Sequence, residues 1–137
     1  MVLQQLDLSL GEAEALITKA ARGAGYPWGV AAEAGAAARN LIASGAEGAR
    51  IFADVLEHAA KTMPPEHKCP IRRGLYRADG GTPDGPVTDA AVEAAFLPMP
   101  ACKTRCDLDA ETFERLNQLA ARTYAPITEE SRQRGAG

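Results

Sequence analysis

The sequence predicts a mainly α fold: a bundle of three N-terminal helices, a C-terminal helix laid against it, and an irregular middle loop wrapped outside. Three observations predict it. Ser9 and Glu12 stand at the spacing of a capping box. Apolar residues recur at intervals of three and four through residues 13–63 and again through 113–124. Between residues 64 and 87 that period is lost, and glycine and proline gather. The alternative is α+β, with residues 69–78 and 95–106 paired as a small sheet.

The capping box starts a first helix at Leu10. Ala13, Leu16, Ile17, Ala20 and Ala24 form its apolar stripe, and Gly23 and Gly25 end it, because glycine takes a left-handed C-cap at little cost. Pro27 suits the first turn of a second helix, where its missing N–H is no loss. The face of Trp28, Ala31, Gly35, Ala38, Leu41 and Ile42 is nearly bare backbone at its centre, which invites a close neighbour; Ser44 and Gly45 close the helix. A third helix runs from near Ala46. It turns Phe52, Val55, Leu56, Ala59 and Met63 inward, pairs Glu57 with Lys61 outward, and stops at Pro64 and Pro65.

Residues 64–87 read as an ordered loop in which 74–78 is at most one strand of a small hairpin. A short helix follows, with Thr88 as N-cap and a staple between Val87 and Val92; Pro98 and Pro100 end it. Asp109 caps the last helix, Leu108 and Phe113 staple it, Glu111 pairs with Arg115, and Pro126 breaks it. No internal repeat is evident.

A length of 137 residues suits one domain over 1–137. Hydrophobic residues make up 46%, but 28 of them are alanine and aromatics are only 5%, so the core is thin. A second copy, or a larger metabolic-enzyme subunit, is the expected partner. The net charge of −3 argues against nucleic-acid binding through a basic field. No apolar run spans a bilayer, and the first residues lack the pattern of a signal peptide, so the expectation is a cytoplasmic protein with no membrane contact. Three cysteines without an export signal then read as thiols, not as a disulfide framework.

Two blocks are more specific than their helices require: Lys19-Ala-Ala-Arg-Gly-Ala-Gly-Tyr-Pro-Trp-Gly29, and Leu119-Ala-Ala-Arg-Thr-Tyr-Ala-Pro-Ile-Thr-Glu-Glu-Ser-Arg132. With Cys69-Pro70-Ile71 and Gly74 between them, the chain resembles an uncharacterised, mostly proteobacterial family known as a domain of unknown function. Its middle is shorter than that of the family. The resemblance implies a shared scaffold and imports no reaction.

Both blocks carry candidate ligand-binding groups. In the first, Arg22, Gly23, Gly25, Tyr26, Trp28 and Glu33 surround a helix N-terminus, where free N–H groups favour an anion. The same residues also suit a tight helix corner plugged by Tyr26 and Trp28. In the second, Arg122, Tyr124, Glu129 and Arg132 follow a helix end and form either a site or an ion-pair lock. Should the blocks meet, they make a polar pocket in which Glu33 and Glu129 hold Arg22 and Arg122 away from bulk water. Tyr26, Glu33, Tyr124 and Glu129 are the possible acid–base groups. His67, Cys69, Cys102 and Cys106 form a zinc set without the paired CxxC knuckles of a strong one; plain thiols or a redox pair of Cys102 and Cys106 are the alternatives. No cofactor is otherwise predicted, and His58 reads as surface.

No catalytic motif is complete. The first expectation is therefore an accessory or interaction protein. A binding protein for a small carboxylate or phosphate metabolite is the second, and an enzyme using arginine, tyrosine and glutamate groups the third.

Overall fold

The computed structural model describes residues 5–123 and is mainly α. It opens on a strand that the apolar period does not announce. β1 (Gln5–Ser9) runs directly into α1 (Leu10–Ala24), and Ser9 serves both. Its hydroxyl accepts the Glu12 N–H at 3.0 Å, while the Glu12 carboxylate accepts the Ser9 N–H at 3.0 Å, which completes the capping box. Gly25 caps the other end at φ 119°, in the left-handed region. Gly23 lies inside the helix and terminates nothing.

Two further helices follow over short turns, α2 (Trp28–Ala43) and α3 (Gly48–Lys61). α1 is the hub, packed against α2, α3 and the C-terminal helix. Ile17, Phe52, Leu56 and Leu116 are the large side chains of this core, with buried alanines between them. The bare stripe on α2 has its neighbour within the chain. Ala31, Gly35 and Ala38 are buried, and a Cβ on Gly35 would stand 2.0 Å from Thr18 Oγ1 of α1. The stripe is filled by α1 at Gly35.

The middle is more regular than a loop. α4 (Pro70–Ala78) places Pro70 in its first turn, and Ile71 and Gly74 face inward. Gly74 lets the Phe96 ring lie on the helix, since a Cβ there would come within 2.3 Å of that ring. Residues 74–78 are therefore helix and not strand. α5 (Ala90–Ala95) is capped by Asp89, one residue beyond Thr88, with the Val92 N–H donating to Asp89 Oδ1 at 3.2 Å. Thr88 is displaced from that role because its hydroxyl and amide both bond Glu93.

β2 (Arg105–Asp109) leads without a break into α6 (Ala110–Ala120), where Asp109 accepts the Thr112 N–H at 3.0 Å as the cap. The two strands pair antiparallel, Leu6 with Leu108 and Leu8 with Cys106, so the small sheet does not use residues 69–78. This arrangement reveals a repeat that the linear reading misses. Asp7, Leu8, Glu14, Leu16, Ala20, Ala21 and Arg22 recur as Asp107, Leu108, Glu114, Leu116, Ala120, Ala121 and Arg122. Both units are a strand, a capping residue and a helix. Asp7 faces Asp107 in the ladder, which sets a local twofold between them.

Neither intrahelical ion pair forms as spaced. Arg115 turns away from Glu111 and reaches α3, where Nη2 donates to Glu57 Oε1 at 2.6 Å and to Asp54 Oδ1 at 2.5 Å. A planar guanidinium shared by two carboxylates outcompetes two separate solvated pairs, and Glu57 is thereby taken from Lys61. Because the group is partly exposed, Arg115→Lys is expected to cost only about 1 kcal/mol in urea unfolding, and less at high salt. No helix among the described residues is long and apolar enough to cross a membrane.

Candidate functional site

The corner between α1 and α2, helix α4 and the segment 79–84 enclose an open cleft of about 810 Å³. The N-terminus of α2 opens onto it. Pro27 is the N-cap there and offers no side-chain acceptor, so the first-turn amides are uncapped. Gly29 lines the cleft, and a Cβ at that position would meet nothing within 4 Å. An accessible, uncapped helix start presents N–H donors and the positive end of the helix dipole.

Arg72 of α4 lies in the same cleft. Its guanidinium stands over the Tyr26 ring, 6.0 Å from the centroid, and it takes part in none of the ion pairs among the described residues. Tyr26 is completely buried, with its hydroxyl 3.0 Å from Cys69 Sγ. Burial pushes its phenol well above the ordinary value, the Cys69 contact adds to that, and the Arg72 charge only partly opposes it. Tyr26 thus plugs the corner and supports Arg72; it does not serve as an accessible acid or base. The rim carries Glu33, Glu66, Asp79 and Asp84, with Val30 and Tyr76 as apolar wall.

Behind the wall lies a buried ion pair. Arg73 and Glu93 are each 2% exposed, with Nε 3.0 Å from Oε2. The same oxygen accepts the Thr88 N–H at 2.9 Å and the Thr88 hydroxyl at 3.0 Å, while Oε1 faces Arg77 Nε at 3.2 Å. Neither of those last two atoms completes a hydrogen bond.

The residues proposed from sequence divide between this cleft and other places. Gly29 stands beside Trp28, which is 54% exposed and so does not plug the corner. Arg22 is exposed, donates to Tyr26 O at 3.3 Å and stacks 5.7 Å from the Trp28 centroid. It makes no ion pair with Glu33, which sits on the cleft rim. Arg122 is likewise exposed. The two blocks do meet, at the backbone: a Cβ on Gly23 would be 1.7 Å from Leu119 O and 3.4 Å from Arg122 Cβ. Tyr124, Glu129 and Arg132 lie outside the described residues.

The zinc set is dispersed. Cys69 touches Tyr26 before the start of α2, whereas Cys102 donates to Ser44 O just past its end. A helix of 16 residues, roughly 24 Å, separates the two places. Cys106 is buried on β2, all three thiols are free, and no group of three or more metal-ligating side chains forms among the described residues.

Arg72, Arg73 and Glu93 are absent from the sequence-derived set. Pro70 followed by Ile71, Gly74 and Leu75 was the available signal for α4, diluted by its three arginines. The chain belongs to the family described as protein of unknown function (DUF3726), whose model matches residues 8–84. That span holds the opening block and every residue lining the cleft; it ends before α5, α6 and the closing block. No curated protein and no solved structure matches the chain.

Proposed function

We propose that the protein is a cytoplasmic binding module for a small carboxylate-bearing metabolite, received in the cleft between α2 and α4. One observation carries this reading: an uncapped helix start and a guanidinium without a carboxylate partner among the described residues face the same space. Together they can hold one carboxylate through backbone N–H groups and a charged fork. Arg72 takes the part that sequence spacing gives to Arg22.

The charge balance narrows the ligand. Arg73 is committed, with Arg77, to Glu93 in the buried pair, so on the cleft itself Arg72 stands against Glu33, Glu66, Asp79 and Asp84. A phosphate dianion would meet repulsion from that rim. A monoanion with a cationic or hydroxylated remainder, such as an amino acid, fits it better. Tyr26 is sealed by Cys69, which favours binding over acid–base chemistry and suits an accessory role beside a metabolic enzyme.

Thermal unfolding with a panel of amino acids, hydroxy acids, keto acids and inorganic phosphate tests this. A ligand at 100 times its Kd is expected to add about 2.7 kcal/mol. Arg72→Gln is expected to remove a charged hydrogen bond worth about 1.5–3 kcal/mol, and so to weaken binding roughly 10- to 150-fold. The unliganded melting temperature should barely move. A panel that shifts nothing, or equal shifts in wild type and Arg72→Gln, would overturn the reading.

A further inference from the structure

We infer that Arg73 and Glu93 are positioning residues of this site, which latch the segment 82–85 as one wall of the cleft. The inference rests on the reading of the cleft as the ligand site. Arg73 spends its guanidinium on three backbone carbonyls besides Glu93: Nη1 donates to His67 O at 3.0 Å and to Asp84 O, and Nη2 to Gly85 O at 3.2 Å. Thr82, Pro83 and Asp84 line the cleft, and so does His67. One buried side chain therefore ties two lining segments to the inner face of α4.

Glu93 lines no part of the cleft. It fixes Arg73 through Nε and at the same time draws in Thr88, where the strap returns to the body of the fold. Gly85, at φ 79°, lets the strap turn so that its carbonyl points at the guanidinium. With Asp84, Gly85 and Thr88 all bonded to this pair, the wall is a built feature, not a loop lying on the surface. Apolar packing would serve stability as well as a buried ion pair does. It would not hold three carbonyls in place, and that difference makes the role testable.

The test is backbone 15N relaxation on the full chain without ligand, so its outcome is separate from that of the ligand panel. In wild type, the amides of Thr82, Asp84, Gly85 and Thr88 are expected to show order parameters near those of a rigid backbone, about 0.85. Arg73→Lys keeps the charge for Glu93 but cannot fork to three carbonyls; the strap values should fall below about 0.6 while α1–α3 stay unchanged. In the double variant Arg73→Met with Glu93→Leu, the melting temperature should return toward wild type and the strap should remain mobile. Strap order retained in Arg73→Lys, or regained in the double variant, would overturn the inference. Should the double variant not fold, Arg73→Lys decides alone.

Discussion

Gly23→Ala is expected to destabilise the protein severely, against the direction that helix propensity dictates. An interior helical glycine replaced by alanine gains about 1 kcal/mol from propensity alone. Here the new Cβ would stand 1.7 Å from the carbonyl oxygen of Leu119 and 2.7 Å from its carbon. That neighbour is backbone within α6, so no rotamer change relieves the clash and α6 must move off α1. Overpacking of a core costs typically 1–3 kcal/mol and more where backbone must shift. Gly11→Ala is the control, because its Cβ would meet only Ser9 Oγ at 3.9 Å in the exposed first turn of the same helix. Urea unfolding followed by circular dichroism should show Gly11→Ala neutral or stabilised and Gly23→Ala losing several kcal/mol, roughly. Equal stability of the two variants would mean that α1 and α6 do not cross there.

Glu93→Ala is the second large effect. It leaves the Arg73 guanidinium buried without its carboxylate, a change that costs about 3–5 kcal/mol. The pH dependence carries a definite sign. Burial alone would raise the Glu93 carboxyl, but the Thr88 amide, Arg73 and the Thr88 hydroxyl together outweigh it and hold the group below its ordinary value of 4.5. A carboxylate lowered in the folded state contributes stability that is full above its unfolded value. That stability is lost as pH falls through the folded value. The melting temperature of wild type should therefore drop on acidification below about pH 4.5 more steeply than that of Glu93→Gln, measured by calorimetry. Parallel curves for the two proteins would show that Glu93 is not held as its carboxylate.

What was legible in the sequence was local. The caps at Ser9 and Asp109 depend on hydrogen bonds three residues away, and both form as spaced. The three N-terminal helices show as a period because each buries one stripe. β1 was not legible as a strand, because its partner lies 100 residues on and a five-residue alternation carries little signal alone. The repeat went unseen for the same reason: its seven identities are scattered, and the ladder between Asp7 and Asp107 is what aligns them. Residues 70–78 hid as a helix because Gly74 and three arginines break the apolar pattern, although Gly74 is there to admit Phe96.

The site divides in the same way. A helix start with free N–H groups after Gly25 was legible and does open onto the cleft, although Pro27 stands at the N-cap and not in the first turn. Which arginine shares that space is a matter of tertiary packing. Arg22 is used by its own corner on Tyr26 and Trp28, whereas Arg72 arrives from a helix that spacing did not reveal. Glu93 was likewise beyond reach, since its burial depends on Arg73 from a different element.

In the proposed site one ligand carboxylate bridges the start of α2 and Arg72. The most direct measurement is an NMR titration of the full chain with the panel member that gives the largest thermal shift, following backbone amides and arginine side-chain Nε–H signals. Gly29 and Val30 amides and the Arg72 Nε–H are expected to move together along one saturating curve, with Arg22 and Arg122 unmoved. Saturable shifts confined to residues outside the cleft, or movement of Gly29 and Val30 that persists undiminished in Arg72→Gln, would contradict it.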